Sequence, residues 1–121
     1  MGSEMCIRDR KIPMSENNKP LSHAVYFELK DHSAEKCEQL VESCYRLLSP
    51  IEGCTSLSAG VRDEELNRPV NDQKFHVGLV VILESRAAHD AYQTNENHLK
   101  FIEENKDNWE SVRIFDAVAR P

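Results

Sequence analysis

Four stretches of the chain have the hydrophobic patterns of β-strands. The first, HAVYFELK, alternates so that positions 23, 25, 27 and 29 form its more apolar face, which predicts a strand over residues 23–30. The second, CTSLSAGVR, is predicted to be short, and the last, SVRIFDAVA, closes the chain. The third, within KFHVGLVVILES, is apolar on both faces. A strand of that kind needs cover on both sides of its sheet.

Segments with helical periodicity lie after the first and third of these strands. Apolar residues recur every three or four positions after the first strand, which predicts a helix over residues 34–48 with Ser33 as its N-cap and Gly53 among its stop signals. Two shorter helical segments follow the third strand, capped by Ser85 and Asn95 and separated by a break at QTN. The polar stretch DEELNRPVNDQ has no periodicity and is predicted to be a loop.

The order of these elements predicts the fold class. The series β-α-β-β-α-α-β is the split βαβ, ferredoxin-like plan of an α+β protein, in which an antiparallel four-stranded sheet carries its helices on one face. That plan leaves the other face of the sheet bare, although the third strand is apolar on both sides. We therefore predict that a second copy covers the bare face across a two-fold axis, giving a homodimer and a dimeric α/β barrel.

The apolar patterning also divides the chain of 121 residues. Residues 22–121 are predicted to form a single domain, and residues 14–21 are predicted to be a disordered polar leader. Residues 1–13 have no periodicity and no signal-peptide pattern, and their MCIRDR segment resembles a translated sequencing adapter. We expect the natural start to be Met14.

Charge and hydropathy exclude two classes of partner. The chain has a formal net charge of −6 and no cluster of lysine or arginine, which argues against nucleic acid and against an anionic membrane surface. The longest apolar stretch, VGLVVIL, has the length of a strand and is far shorter than the roughly 20 residues of a membrane span.

The cysteines indicate a reducing compartment. With Cys6 in the excluded leader, Cys37, Cys44 and Cys54 show neither C-x-x-C spacing nor an even count for a disulfide framework. A cytoplasmic location is therefore predicted. Cys37 and Cys44 fall on the buried stripe of the first helix, where we expect them to act as small core hydrophobes.

Four segments together resemble a known family. HAVYFELKD, GLVVILES, AYQTNENHLKF and NWESVRIFD, in this order and over almost all of residues 22–119, are similar to the stress-responsive dimeric α/β barrel (Dabb) domain. The resemblance implies a ferredoxin-like protomer whose sheet packs on that of its twin. Most members have no assigned reaction, and one plant branch is a polyketide cyclase that closes a ring by intramolecular aldol condensation.

The resemblance also implies candidate catalytic residues. The cyclase's histidine at the start of strand one falls on His23, its tyrosine in the second helical region on Tyr92, and its following histidine on His98. The cyclase's strand-three histidine falls on Val77. His76 lies one residue out of step, which on a strand turns its side chain to the opposite face.

Each candidate has a structural alternative. With Asn95 as N-cap, His98 lies in the first turn of a helix, where the dipole disfavours the imidazolium and leaves a neutral base; alternatively it locks the helix break by a hydrogen bond. Tyr92 either offers its hydroxyl to a carbonyl or is a core residue beside Ala88. His23 either lines a cavity or lies at its rim.

Other polar residues are expected to have no chemical role. His32 and His89 are predicted to be solvated, and Trp109 to fill the space between helix and sheet. No carboxylate pairs with a histidine at ligand spacing and no phosphate-binding loop is present, so neither a metal site nor a cofactor is predicted.

Two functions from different classes follow. The first is a binding module that holds a small organic ligand in a mostly apolar pocket between sheet and helices. The second is an acid–base enzyme on carbonyl compounds, in which His98 removes a proton, Tyr92 hydrogen-bonds the enolate oxygen and His23 orients or relays. A third, the cofactor-free monooxygenase or haem-degrading activity of the wider superfamily, has no supporting residues. Convergence of the three side chains on one cavity distinguishes a catalyst from a binder.

Overall fold

The computed structural model describes residues 18–120 as one antiparallel sheet with helices on one face. Its strands and helices are β1 (Leu21–Leu29), α1 (Ala34–Ser43) continued by a π-helical turn (Cys44–Leu48), β2 (Cys54–Val61), β3 (Val77–Leu83), α2 (Arg86–Thr94), α3 (Glu96–Asn105), a 3₁₀ turn (Lys106–Asn108) and β4 (Trp109–Val118). The sheet order is β2-β3-β1-β4. The predicted α+β, ferredoxin-like fold is confirmed. The predictions for residues 1–13 lie outside the described residues.

Strand β1 is central and starts earlier than predicted. It begins at Leu21 because this residue continues the alternation, is only 7% exposed, and pairs with both Leu83 and Val118. The side chains at the alternate positions from 21 to 29 are buried against the helices. His23 is one of two buried polar residues in the described chain, at 4% exposure.

The first helix is less regular than its periodicity predicts. It is α-helical to Ser43 and then widens into the π-helical turn, whose Cys44, Leu47 and Leu48 are all buried. The connection to β2 passes through Gly53, which has a φ of 93°. A Cβ atom at this position would lie 2.7 Å from the Cβ of Ala88 on α2, so the chain turns here only because the residue is glycine.

The two faces of the sheet have different environments. On β3, the residues facing the helices are at most 2% exposed, whereas Val80 and Ile82 on the other face are half-buried. That open face also carries Tyr26 and Phe115, whose ring centroids are 6.0 Å apart. Within residues 18–120, no helix combines the length and the hydropathy that a membrane crossing requires.

Candidate functional site

His23, Tyr92 and His98 come together on the helix-facing side of β1. The ring centroids of Tyr92 and His98 are 4.8 Å apart, and those of His23 and Tyr92 are 5.8 Å apart. All three side chains line one cavity. The geometric condition for a shared site is therefore met, while a catalytic role for these residues stays a prediction.

The break between α2 and α3 positions two of the three residues. Asn95 ends α2 with extended backbone (φ −62°, ψ 142°) and caps α3, because its side chain accepts a hydrogen bond of 2.8 Å from the backbone N–H of Asn97. His98 is thereby the third residue of α3, as predicted, and its ring returns to Tyr92 at the end of α2. His23 faces them from β1 because the buried face of that strand points at the helices.

The cavity is small and mostly apolar. Its volume is about 170 Å³, and its polar lining comes from His23, Tyr92, Gln93 and His98. Cavities of about 150 Å³ hold a benzene molecule, whereas drug-sized ligands occupy roughly 300–1,000 Å³. The rest of the wall is apolar and consists of Val25, Phe27, Leu79, Phe101, Ile102, Trp109, Val112 and Ile114.

The surroundings of His98 favour its neutral form. Burial is the main cause that lowers the pKa of His98, and the positive charge of a protonated His23 or His89 would lower it further. A hydrogen bond to the backbone of Gln93 raises this pKa and so acts in the opposite direction. The predicted direction of the shift therefore agrees with the structure, although burial and not the helix dipole is its main cause. The Nδ1 atom of His98 is buried and makes no hydrogen bond within the described residues.

Tyr92 keeps its proton under ordinary conditions. It is 1% exposed, and burial raises the pKa of its hydroxyl well above the usual value. The residue is thus a core tyrosine, in agreement with one interpretation from the sequence. It also lines the cavity, while a hydrogen bond from its hydroxyl to a carbonyl stays a prediction. A protonated phenol can donate a hydrogen bond to a ligand oxygen.

Asp116 belongs to the site although the sequence analysis did not single it out. It lies on β4 directly opposite His23 on β1, and the distance between His23 Nδ1 and Asp116 Oδ1 is 2.5 Å. A carboxylate in the apolar strand SVRIFDAVA was the available signal, but only the strand register shows which residue it faces. When Nδ1 carries the proton, it donates a hydrogen bond to the carboxylate, and Nε2 is then the nitrogen of His23 with a free lone pair.

His89 is not solvated, contrary to the prediction. Its side chain is 18% exposed, and its ring centroid is 5.5 Å from that of His23. The reason is that α2 packs against the sheet with this residue one turn before Tyr92 and Gln93. His23, His89 and Asp116 are also the one group of potential metal ligands found in residues 18–120, with ligand atoms within 4.8 Å of one another.

His76 points away from this cavity, as predicted. Its Nδ1 accepts a hydrogen bond of 2.9 Å from the backbone N–H of Leu29, and its ring stacks on that of His32 at 4.3 Å. The two rings line a separate cavity beside α1. His32 itself is exposed. Burial and then the charge of His32 lower the pKa of His76.

The remaining structural predictions concern the core. Cys37 and Cys44 are 4% and 0% exposed, and burial raises the pKa of the Cys44 thiol to about 12. Both are therefore inert core residues, as predicted. Trp109 packs on Phe27 and Phe101, with ring centroids 5.1 Å and 5.9 Å away, and so fills the space between sheet and helix.

Comparison with known families gives one match. The model of the family described as Stress responsive A/B Barrel Domain, or Dabb, matches residues 21–119. This range covers all four strands and the three cavity-lining residues His23, Tyr92 and His98. No curated protein matches the chain.

Solved structures share the fold at low sequence identity. A Dabb family protein with a ferredoxin-like fold from Mesorhizobium loti is 23% identical with a TM-score of 0.70, over 85% of this chain and 99% of that one. A dimeric ferredoxin-like protein from Thermobifida fusca is 13% identical with a TM-score of 0.70, over 91% and 100%. The hydroxynitrile lyase from Passiflora edulis is 16% identical with a TM-score of 0.69, over 85% and 95%.

Proposed function

Because the chain belongs to the stress-responsive A/B barrel (Dabb) family, we propose that its cavity between β1 and the helices α2 and α3 binds a small aromatic or apolar organic ligand. The observation that carries the proposal is the composition of the cavity wall. Eight apolar residues surround a space of about 170 Å³, while His23, Tyr92 and His98 are grouped on it as polar contacts. Such a combination of apolar wall and few polar groups is typical of ligand sites.

The volume and the polar groups define the class of ligand. A single ring fits, because a cavity of about 150 Å³ holds benzene. The Tyr92 hydroxyl can donate to an oxygen of that ligand, and the unpaired Nδ1 of His98 can accept from it or donate to it according to tautomer. We therefore propose a one-ring compound that carries a carbonyl or hydroxyl group.

The cavity opens along the edge strand β4. The helices leave Val112 and Ile114 of that strand 37% and 54% exposed, although both line the cavity. A small ligand can therefore enter beside β4 without unfolding of the core.

We also propose that the chain forms a homodimer through the open face of its sheet. The apolar surface of this face is formed by Val80, Ile82, Tyr26 and Phe115, and no helix within residues 18–120 covers it. The similar protein from Thermobifida fusca is described as dimeric. The three free cysteines of residues 18–120 fit a reducing compartment, and we propose the cytoplasm.

A second candidate function is acid–base catalysis on the bound carbonyl compound. Neutral His98, with its unpaired Nδ1, would take a proton from the carbon next to the carbonyl. The electron pair of that C–H bond would form a C=C bond to the carbonyl carbon, and the C=O π pair would move to the carbonyl oxygen. The Tyr92 hydroxyl would hydrogen-bond the resulting enolate oxygen. His23, oriented by Asp116, would relay or position the proton. The lowered pKa of His98 is the observation that favours this candidate.

The binding proposal is tested with acetophenone as a one-ring carbonyl probe. We expect saturation-transfer NMR signals with the full chain, and we expect Val112→Trp to abolish them by filling the cavity. The matched control is Val118→Trp, on the same strand but outside the cavity lining. Equal signals from both variants, or no signal from the unmodified chain, would overturn the proposal for this cavity.

The catalytic candidate has a separate test with the same probe. Proton removal would make the protein accelerate exchange of the acetophenone methyl protons for deuterium in D2O. His98→Ala should then reduce the exchange rate by about 10²–10⁴-fold, the usual range for loss of a general base. His32→Ala is the control. If acetophenone binds but its proton exchange is not accelerated, the binding function stands and the catalytic function is rejected.

A further inference from the structure

A cluster of two histidines and one carboxylate lies beside the cavity. Of its three residues, only His23 also lines the cavity. The cluster consists of His23 on β1, His89 on α2 and Asp116 on β4, and its three ligand atoms lie within 4.8 Å of one another. We propose that these residues form a binding site for one divalent transition-metal ion, with Zn²⁺ as the ion that this ligand set suits best. The proposal does not depend on the proposed organic ligand.

The ligand types determine the class of metal. Two imidazoles and one carboxylate are a set that binds Zn²⁺ and neighbouring divalent ions, while Mg²⁺ and Ca²⁺ prefer oxygen ligands alone. Three protein ligands leave at least one coordination position for water or for an oxygen of a ligand. His23 is the one residue that belongs both to this cluster and to the cavity lining.

The ligand atoms of the cluster would have to move only a short distance to bind one ion. Zn–N and Zn–O bonds of about 2.0–2.2 Å in a tetrahedron place neighbouring ligand atoms about 3.4 Å apart. Binding through His23 Nδ1 requires the tautomer with the proton on Nε2, so the ion would take the place of the Nδ1 proton. His23 Nδ1 and Asp116 Oδ1, now 2.5 Å apart, would then separate by about 1 Å. His89 would approach by at most about 1.4 Å. Asp116 can move because its side chain is 44% exposed on an edge strand.

Asp90 orients His89 for such a role. Its Oδ1 lies 3.1 Å from His89 Nδ1, and because a carboxylate can only accept, the proton is on Nδ1 and the lone pair on Nε2. A carboxylate behind a ligating histidine is a common support of metal sites, where it holds the ring and raises its basicity. The amide nitrogen of Gln93 lies 3.5 Å from Nε2 of His89 and would have to move away when an ion binds to that nitrogen.

The charge and the accessibility of the site also favour a cation. Asp116 places a carboxylate beside the two imidazole rings, and the whole chain carries a formal charge of −6. Arg86, whose guanidinium is 3.3 Å from Asp90, is a positive group on this face of α2, but it is paired with that carboxylate. The exposed side of Asp116 provides the entry path from solvent.

The test uses the full chain after treatment with a chelator and removal of the chelator. We expect Co²⁺ to bind with one ion per chain and to give visible d–d bands without a thiolate charge-transfer band. Calorimetry should then show Zn²⁺ competing for the same site. A thiolate band would place the ion on the cysteines and overturn the proposal, as would the absence of saturable binding.

Variants identify the ligands. His89→Ala and Asp116→Asn should each weaken Zn²⁺ binding at least tenfold, whereas His32→Ala, which removes a histidine outside the cluster, should leave it unchanged. If Asp116→Asn fails to fold, His89→Ala on the partly exposed face of α2 decides alone. Equal affinity of the unmodified chain and His89→Ala, or equal losses in His89→Ala and His32→Ala, would overturn the site.

Discussion

His23 and Asp116 form a hydrogen-bonded pair across two neighbouring strands, with 2.5 Å between His23 Nδ1 and Asp116 Oδ1. The two residues are exact register partners of β1 and β4, although 93 positions separate them in the chain. One of them is 4% exposed, and the side chain of the other is 44% exposed. The pair therefore joins the buried wall of the cavity to the surface at the edge of the sheet.

Loss of this pair should lower stability. Asp116→Ala removes the acceptor of a buried imidazole, and leaving a buried polar group without a partner costs about 1–3 kcal/mol. We expect a reduction of this size in the free energy of unfolding from urea denaturation. Glu110→Ala, an exposed residue of the same strand, is the control and should change little. An equally stable Asp116→Ala variant would mean that water replaces the carboxylate at no cost.

The lowered pKa of His98 predicts a pH dependence of stability. The unfolded chain binds a proton at His98 below about pH 6.5, while the folded chain resists protonation, so the unfolded state holds more protons in this range. The stability is therefore fully present above about pH 6.5 and is lost as the pH falls toward the folded pKa. Melting temperatures between about pH 8 and pH 5 measure the effect.

His98→Ala should remove part of the pH dependence of the melting temperature. His76 also has a lowered pKa, so it contributes a second component that remains in the variant. The difference between the two pH profiles therefore isolates His98. Parallel profiles would show that the protonation of His98 is not linked to folding.

The open face of the sheet predicts the oligomeric state. Val80 faces away from the helices, whereas its neighbour Val81 is 0% exposed against them, so Val80 is the residue that tests the dimer. Val80→Lys would bury an unpaired charge in the interface and should give monomeric or unfolded protein. Light scattering at micromolar concentration makes the measurement. Val70→Lys, at a loop position that is 83% exposed, should remain dimeric. A monomeric unmodified chain would contradict the prediction.

Gly53 should not tolerate a side chain. Alanine there meets a φ of 93° and places its Cβ 2.7 Å from that of Ala88, so Gly53→Ala should destabilise by more than about 1 kcal/mol. Adding Ala88→Gly removes the close contact but not the strained φ, and should restore only part of the loss. Urea denaturation compares both variants with Glu52→Ala, an exposed neighbour. Full stability of Gly53→Ala would mean that the turn can rearrange.

The local patterns in the sequence determined the elements and their order. Alternation at positions 23–29 predicted the buried face of β1, and the N-caps Ser33, Ser85 and Asn95 predicted where the three helices begin. These features depend on neighbours within a few residues, because strand alternation and helix capping are local. The placement of His98 in the first turn of α3 followed from them for the same reason.

Only the tertiary structure decided which residues meet at the site. Asp116 was missed because a register between strands at opposite ends of the chain cannot be read from either strand alone. His89 was expected in solvent because its own helix does not show which of its sides packs against β1. The π-helical turn after Ser43 likewise reflects packing of Cys44, Leu47 and Leu48 into the core and has no local signal. Contacts between distant segments are fixed by the packing of sheet and helices as a whole, and so the chemistry of this cavity depends on the fold as well as on the motifs.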